Sequence, residues 1–223
     1  MLKSALSMKQ LLLDLAPPAR PGFDNFVVGS NGELVQALRD IAAGRLPDRV
    51  VYIWGERGAG KGHLIEATLC AAQIPCALAR GDSIPLAAPE SSFVALDDVH
   101  KLDESQQIQL FNLINSLHNA TLLASGSCAP RDLLLRRDLA TRLGSGLVYQ
   151  VQPLGDNEKR AALVAHAQAR GFALNADIVN YLLRHTRRDM PALIAILDAL
   201  DRYSLETGRA VTLPLLKDAM QSH

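Results

Sequence analysis

Short apolar runs alternate with helical stripes of apolar residues in the first two thirds of the chain. Runs bounded by glycine, proline or polar residues predict buried strands. Between them, apolar residues three and four positions apart predict helices, as in the stripe Leu34, Leu38 and Ile41. Alternation of this kind predicts a parallel sheet with right-handed crossovers, and therefore an α/β fold. The predicted strands are residues 50–54, 75–79, 92–96, 121–127 and 147–151.

Two of the predicted helices have start signals in the sequence. Ser30 and Asn31 are N-cap candidates for the first helix, and Glu33 follows Ser30 at the spacing of a capping box. Ser105 is the predicted N-cap of the helix after the third strand. The expected buried side of that helix comprises Ile108, Phe111, Leu113, Ile114 and Leu117.

From residue 156 onward the pattern predicts helices alone. These are residues 159–170, 177–185, 190–205 and 214–220, separated by Gly171, Thr186 and Gly208. A helical stretch of roughly 70 residues is at the lower end of domain size. We therefore expect an α/β core at residues 23–154, followed in the sequence by a small all-α lid domain at residues 155–223.

Residues 1–22 differ from both expected domains. An apolar stretch ending at Leu15 is followed by Pro17, Pro18 and Pro21, which forbid a continuing helix and predict an extended tether. The apolar stretch has two readings of nearly equal weight. It packs on the protein's own core, or it is a linear peptide whose leucines fill a pocket of a partner.

Composition limits the classes of function. Of the 223 residues, 48% are hydrophobic and 21% are charged, which is ordinary for a soluble globular protein. Lys plus Arg and Asp plus Glu number 23 each, so no net basic field exists to hold duplex DNA non-specifically. The three cysteines lack metal-binding spacing, which favours reduced thiols and a cytoplasmic location. The longest apolar runs fall short of the ~20 residues of a membrane span, so we expect no membrane association.

The predicted strand at residues 50–54 runs directly into a glycine-rich turn and then a helical pattern. The turn fits Gly-x4-Gly-Lys, with glycines at 55, 58 and 60 followed by Lys61. Glycines let the backbone N–H groups approach a polyphosphate, while the helix N-terminus and the lysine supply positive charge. Gly62 stands where Ser or Thr would hold Mg²⁺ through its hydroxyl. The sequence therefore predicts nucleotide binding without fast hydrolysis.

Asp97 and Asp98 follow the predicted strand at residues 92–96. Carboxylates at the carboxyl end of a buried parallel strand meet the ligand crevice of such sheets. Asp97 can hold Mg²⁺ through water, and Asp98 can orient or deprotonate an attacking water. The alternative is that the pair only caps the next turn, which the nearby phosphate loop makes the weaker reading.

Several arginines precede the last predicted strand or begin a lid helix. Arg142 lies just before the strand, near Arg136 and Arg137, where an arginine can enter a neighbouring subunit's nucleotide site. Arg187 and Arg188 can reach phosphates from the lid side. The alternative for each is a solvated surface charge, which is the usual fate of arginine.

The order of these motifs resembles the AAA+ core of the DnaA-like family. The resemblance covers nearly all of the chain beyond residue 22, and at the front Gln10, Leu11, Leu13 and Leu15 resemble a peptide that binds the polymerase sliding clamp. The chain stops at His223, straight after the expected lid, where DnaA continues into a helix-turn-helix DNA-binding domain. The motifs are Phe23-Asp24-Asn25-Phe26, the phosphate loop with His63-Leu64, Leu96-Asp97-Asp98-Val99, residues 129–133, Thr141-Arg142-Leu143 with Gly146-Leu147, and Arg188-Asp189-Met190.

This resemblance implies a role for each matching position. Asp97 and Asp98 would form the Walker B pair, Ser127 would be sensor 1, Arg188 sensor 2 and Arg142 the arginine finger. The implied nucleotide-binding set is Phe23, Phe26, Val27, Val28, Gly55, Arg57, Gly58, Ala59, Gly60, Lys61, Gly62, His63, Ser127 and Arg188. Ser127 replaces the Asp common at sensor 1, which together with Gly62 lowers the expected ATPase activity of the chain itself.

The function implied is that of the family branch that inactivates DnaA. ADP or ATP, with Mg²⁺ as a possible companion held by Asp97, would set the conformation, and Arg142 would act on ATP held by DnaA. The expected partners are DnaA and the beta subunit of the DNA polymerase III sliding clamp, with a homodimer possible and no sequence-specific DNA contact. Asp14 stands where the clamp peptide usually has Pro or a small residue, which weakens the expected docking.

Two other functions fit the same motifs. The first is a self-sufficient AAA+ ATPase that resembles a helicase loader, which robust turnover by the purified chain would favour. The second is a nucleotide-independent adaptor with a vestigial phosphate loop, which a nucleotide found in the purified protein would contradict.

Overall fold

The structure is a computed structural model that describes residues 20–79, 84–186 and 189–221. These residues form two compact units, Arg20–Leu154 and residues 155–221. Within the described ranges, no helix combines the length and apolar character needed to cross a membrane.

The first unit is the α/β core. It contains a five-stranded sheet of order β2-β3-β4-β1-β5, in which every pairing is parallel. The predicted fold class is therefore confirmed. Its elements are α1 (Gly32–Ala42), β1 (Val50–Trp54), α2 (Lys61–Cys70), β2 (Cys76–Ala79), β3 (Phe93–Leu96), α3 (Glu104–Ser116), β4 (Thr121–Gly126), α4 (Arg137–Leu143) and β5 (Leu147–Gln150).

Helices cover both faces of this sheet because alternate strand residues point to opposite sides. In β1, Val51 and Ile53 pack in one buried cluster with α1 and α2, whereas Val50 and Tyr52 pack in another with α3 and α4. The short strands β1, β3 and β4 are buried on both faces, which explains why their sequences are almost continuously apolar.

Tyr52 fills the space beneath the carboxyl end of β4. Its hydroxyl donates a hydrogen bond to the Cys128 carbonyl oxygen at 2.8 Å, and burial raises the pKa of the phenol. A Cβ atom at Gly126 would stand only 1.8 Å from this hydroxyl oxygen. Gly126 is therefore required where β4 ends.

Asn31 occupies the N-cap position of α1, as predicted, but the contacts at the helix starts differ from those expected. The side chain of Asn31 does not cap α1; its amide instead exchanges two hydrogen bonds with the backbone of Gln152, at 2.8 and 3.0 Å. Asp103, rather than Ser105, caps α3 and forms a capping box with Gln106. Ser105 donates its hydroxyl to Asp103 instead.

The buried side of α3 is also shifted from the prediction. Leu113, Ile114 and Leu117 are buried as expected, but Leu110 is buried in place of Ile108, which is 41% exposed. Ile108 and Leu110 lie about 200° apart around the helix, so a helix that turns Leu110 toward the sheet leaves Ile108 outside.

The second unit contains helices only, as predicted. They are α5 (Asp156–Ala169), α6 (Ala176–His185), α7 (Met190–Thr207) and α8 (Leu213–Gln221). Leucines and isoleucines from all four helices form one buried cluster. Polar contacts join the C-terminal end of α5 to α7: His166 lies 2.7 Å from Asp198, and Arg170, which follows α5, lies 3.3 Å from Asp198 and donates to Asp201 at 2.9 Å.

Candidate functional site

The phosphate-loop residues connect β1 to the N-terminus of α2. Gly60 has φ of 104°, and a Cβ there would lie 2.9 Å from the Phe26 ring, so this position requires glycine for two reasons. No side chain caps the start of α2. The first N–H groups of this helix therefore remain available to an anion.

Lys61 is folded onto the loop that precedes it. Its ammonium donates to the carbonyl oxygens of Gly55 at 2.8 Å and Glu56 at 3.0 Å. A lysine that binds a phosphate here must exchange these carbonyl contacts for phosphate oxygens. The charge is thus held within the loop and near the helix N-terminus.

The two aromatic residues predicted to bind the nucleotide, Phe23 and Phe26, have different surroundings. Phe26 packs against Gly60 and against the His63 ring, with ring centroids 5.5 Å apart, and His63 Nε2 lies 3.0 Å from the Gly22 carbonyl oxygen. Phe23 instead lies under the Arg39 guanidinium of α1, at 5.4 Å. The structure therefore ties Phe26 and His63 to the phosphate loop, but directs Phe23 toward α1.

The other residues near the phosphate loop that were predicted to bind the nucleotide differ in their exposure to solvent. Val27 and Val28 are half-buried, and Val28 packs on the α1–α2 side of the sheet. Arg57 and Gly58 are exposed at the turn, and Ala59 is half-buried.

Asp97 lies beside Ser125 at the carboxyl edge of the sheet. The parallel register pairs Leu96 with Ala124, so the next residue on each strand comes into contact. The Ser125 hydroxyl donates to Asp97 Oδ1, and the Asp98 backbone N–H approaches both Asp97 Oδ1 and Ser125 Oγ at 3.0 Å. Ser125 is completely buried, whereas Asp97 is exposed toward the crevice.

Asp98 is held by the turn that follows β3. Its backbone is left-handed, with φ of 56° and ψ of 47°, a conformation that Asp tolerates better than most residues. Lys101 donates to Asp98 Oδ2 at 2.5 Å, and His100 Nδ1 lies 3.9 Å from Oδ1. The Asp98 carboxylate, which was predicted to orient water, is therefore already paired with the Lys101 ammonium.

A magnesium ion fits this edge only together with a nucleotide. Within residues 20–79, 84–186 and 189–221, no group of three His, Cys, Asp or Glu side chains could hold a metal ion. Asp97 Oδ2 nevertheless lies 3.3 Å from where a Cβ on Gly62 would stand, so the two positions face each other. Mg²⁺ accepts one carboxylate when phosphate oxygens and water complete its octahedron.

Arg142 lies at the last turn of α4, beside the open edge strand β5. Leu139 and Leu143 of this helix are fully buried, and the Ser145 hydroxyl donates to the Arg142 carbonyl oxygen at 2.8 Å. The backbone is thus anchored while the guanidinium is exposed, without an ion-pair or hydrogen-bond partner among the described residues. Arg136 differs, because its guanidinium pairs with Asp138 at 3.0 Å and lowers the pKa of that carboxyl.

Ser127 does not reach the Walker B carboxylates in the structure. It follows the end of β4, is exposed, and its hydroxyl lies 3.9 Å from Cys128 Sγ. The predicted sensor 2 residue Arg188 and the predicted clamp-binding residues Gln10, Leu11, Leu13 and Leu15 lie outside the described residues.

Sequence reasoning assigned no role to Ser125 and Lys101, the side chains that donate hydrogen bonds to the two carboxylates. The sequence contains a weak indication of each contact. Ser125 is the polar residue adjacent to Asp97 once β3 and β4 are aligned, and Lys101 follows Asp98 by three residues, within reach across a single helical turn.

Comparison with known proteins agrees with this geometry. Residues 156–220 match a family model described as "Hda, lid domain". Domain III of the Thermotoga maritima replication initiation protein DnaA is structurally similar, with a TM-score of 0.71 and 19% identity over 90% of this chain and 95% of that one. The second unit thus has a lid of the kind found in Hda, and the core has the fold of DnaA domain III.

Other solved structures share the fold. AMPPCP-bound DnaA from Aquifex aeolicus gives a TM-score of 0.66 at 18% identity, over 86% of this chain and 68% of that chain. The Thermotoga maritima RuvB Holliday junction branch migration motor gives 0.68 at 15% identity, over 93% and 72%. At these identities the similarity establishes the AAA+ fold.

Proposed function

We propose that this chain, which has an Hda-type lid and a core of the DnaA domain III fold, is a negative regulator of DNA replication initiation. It binds a nucleotide, docks on the polymerase sliding clamp, and promotes hydrolysis of ATP held by DnaA. The observation that carries the proposal is the unpaired guanidinium of Arg142, which projects from an anchored helix end at the edge of the sheet.

An arginine in this setting suits a reaction in another protein's site. The transferred γ-phosphoryl group gathers negative charge in the transition state, and a planar guanidinium supplied from a neighbouring subunit stabilises that charge. Arg142 needs no internal ion pair to be broken before it acts. Arg136, by contrast, would first have to leave Asp138.

The surface around Arg142 is suited to contact with a partner. An open cavity of about 470 Å³ is lined by Trp54, Pro130, Gly144 and Val148, among others, and Gly144 is two positions from Arg142. Val148 on the edge strand β5 is 38% exposed. Apolar area beside a free cation is the composition expected of a protein interface with a buried centre and a polar rim.

The chain's own nucleotide would be ADP or ATP, with a structural role. The N–H groups at the start of α2 and the ammonium of Lys61 would hold its phosphates, and Asp97 would receive Mg²⁺ if the ion accompanies the nucleotide. Gly62 offers no hydroxyl to that ion, and Lys101 occupies Asp98. Both features favour retention of a nucleotide over rapid turnover.

Residues 10–15 are the proposed clamp-docking peptide. The peptide precedes the prolines at 17, 18 and 21 in the sequence. Deleting residues 10–15 should remove clamp binding while nucleotide affinity stays the same. Clamp pull-down that is unchanged by the deletion would contradict this part of the proposal.

The decisive experiment is hydrolysis of DnaA-bound ATP with and without clamp-loaded DNA. The wild-type chain should accelerate hydrolysis only when clamp-loaded DNA is present, and Arg142→Ala should abolish that acceleration, because arginine fingers contribute about 10³–10⁵ in rate. Arg137→Ala is a matched control, since it also removes an exposed arginine of α4. Normal stimulation by Arg142→Ala would refute the trans-finger role.

A second candidate function is ATP hydrolysis by the chain itself, as in a helicase loader. The observation that favours it is that Asp97 Oδ2 faces the Gly62 position of the phosphate loop, which keeps the two halves of a hydrolytic site together. Robust turnover by the purified chain alone, with no effect on DnaA, would favour this candidate.

A further inference from the structure

Ser125 supplies the side-chain contact that orients Asp97, and the Asp98 backbone N–H is a second donor to the same carboxylate oxygen. Its hydroxyl proton is committed to Asp97 Oδ1, because Ser125 Oγ itself accepts from the Asp98 N–H at 3.0 Å. Ser125 is completely buried, so water cannot replace the hydroxyl if it is removed. The Asp97 carboxylate is therefore held through Oδ1, which leaves Oδ2 facing Gly62.

This arrangement matters because one of the usual magnesium ligands is missing. In a phosphate-loop site the hydroxyl after the lysine binds Mg²⁺ directly, together with the carboxylate side of the crevice. Gly62 has no hydroxyl, so the protein's contribution depends on Asp97. Asp97 is exposed, and without the Ser125 hydroxyl its carboxylate would keep a single hydrogen bond, from the Asp98 N–H at 3.0 Å, and would be held less firmly.

We propose that Ser125 is a positioning residue that orients the Asp97 carboxylate toward the phosphate loop and so supports Mg²⁺-nucleotide binding at a site that lacks the loop hydroxyl. The inference rests on the proposed binding of nucleotide, but on neither DnaA nor the clamp. The family resemblance singled out Ser127 at this end of β4, whereas the residue that contacts Asp97 is Ser125.

The test compares ADP affinity with Mg²⁺ and with EDTA, measured by calorimetry on the full chain. For the wild type, Mg²⁺ should increase the affinity. Ser125→Ala should reduce that gain about tenfold, because residues that orient a metal ligand are typically worth 10–100-fold in metal affinity. Its affinity in EDTA should stay the same, since the loop and Lys61 are untouched.

Two further variants separate positioning from stability. Ser92→Ala removes a hydroxyl from another buried serine, whose bond to the Pro89 carbonyl lies before β3, and should keep the full Mg²⁺ gain. Ser125→Cys places a weaker donor at the same position and should give an intermediate gain. Adding Gly62→Ser to Ser125→Ala should restore the gain by supplying a hydroxyl to the ion directly, which a purely structural role for Ser125 would not predict.

Several results would overturn the inference. These are a full Mg²⁺ gain in Ser125→Ala, an equal loss of affinity in EDTA, a loss in Ser127→Ala that is absent from Ser125→Ala, or no Mg²⁺ gain in the wild type. In the last case, ADP binding that persists in EDTA leaves the proposed function standing. A wild-type chain that binds no ADP under either condition would contradict both this inference and the proposed function.

Discussion

The nucleotide crevice and the edge beside β5 treat their charged groups in opposite ways. In the crevice, Lys61 is bonded to loop carbonyls, Asp97 to Ser125 and Asp98 to Lys101. At the edge, the Arg142 guanidinium has no partner within the described residues, although its backbone is firmly held. The crevice groups Lys61, Asp97 and Asp98 are thus paired internally, whereas the Arg142 guanidinium at the edge points outward unpaired.

This difference fits a division of labour. Groups that are already paired must exchange partners before they can act, which costs part of their interaction energy, whereas a preorganised and unpaired donor acts without reorganisation. The crevice is therefore suited to retaining a ligand, and the edge to assisting chemistry in a neighbouring molecule. Four substitutions test the two halves of this comparison.

Arg142→Lys should produce the largest effect. It keeps the charge at the edge but removes the planar fork that contacts two phosphoryl oxygens at once. We expect stimulation of DnaA ATP hydrolysis to fall about 10²-fold, the loss typical of one preorganised donor. The loss of stimulation can be measured in a single-turnover assay of DnaA-bound ATP hydrolysis. Near-normal stimulation would mean that the edge supplies only charge.

Gly62→Ser should make the crevice more hydrolytic. The new hydroxyl supplies the missing magnesium ligand, and we expect intrinsic ATP hydrolysis to rise about tenfold. Because the added Cβ stands 3.3 Å from Asp97 Oδ2, Gly62→Ala controls for the steric effect alone. Equal rates for Ser and Ala at this position would show that the hydroxyl is not what the crevice lacks.

Lys101→Ala should have a smaller effect in the same direction. It frees Asp98 from an ion pair whose lysine side chain is 69% exposed, and exposed pairs are worth only about 0.2–1 kcal/mol. Intrinsic hydrolysis should therefore rise by no more than about fivefold, best measured in the Gly62→Ser background. A larger rise would indicate that Lys101 holds Asp98 in an inactive position.

Asp138→Asn should have the smallest effect, on stability at the edge. Arg136 lowers the folded-state pKa of Asp138, so the pair stabilises the fold above the unfolded pKa of about 3.9 and is lost as pH falls through the lower folded value. Melting temperatures of wild type and variant should differ slightly at pH 6, and the difference should shrink progressively as the pH is lowered below about 3.9. A difference that does not shrink on acidification would have another cause.

The elements of this protein were readable from its sequence because strands buried on both faces leave uninterrupted apolar runs. Val50–Trp54 and the glycine-rich turn after it were predicted together, since a tight turn near phosphate requires glycine. The helices beyond residue 156 were equally readable, because a small unit must bury one apolar stripe per helix.

The polar contacts were harder to predict, because neighbouring residues of similar chemistry compete for them. Ser125 and Ser127 differ only in whether the strand has already ended, and β4 ends at Gly126 between them. Asp103 and Ser105 are both good caps, and the choice depends on where the preceding turn leaves the chain. Such decisions rest on the backbone path, which composition and spacing do not specify.

The contact between Tyr52 and Gly126 has a consequence for how this protein can diverge. A Cβ atom at position 126 and the phenol at position 52 cannot occupy the same space. A gene library randomised at codon 126 alone should return only glycine among folded clones, whereas randomising both codons should recover alanine or serine at 126 accompanied by a shorter residue at 52. Natural substitution at position 126 therefore requires a compensating substitution at position 52.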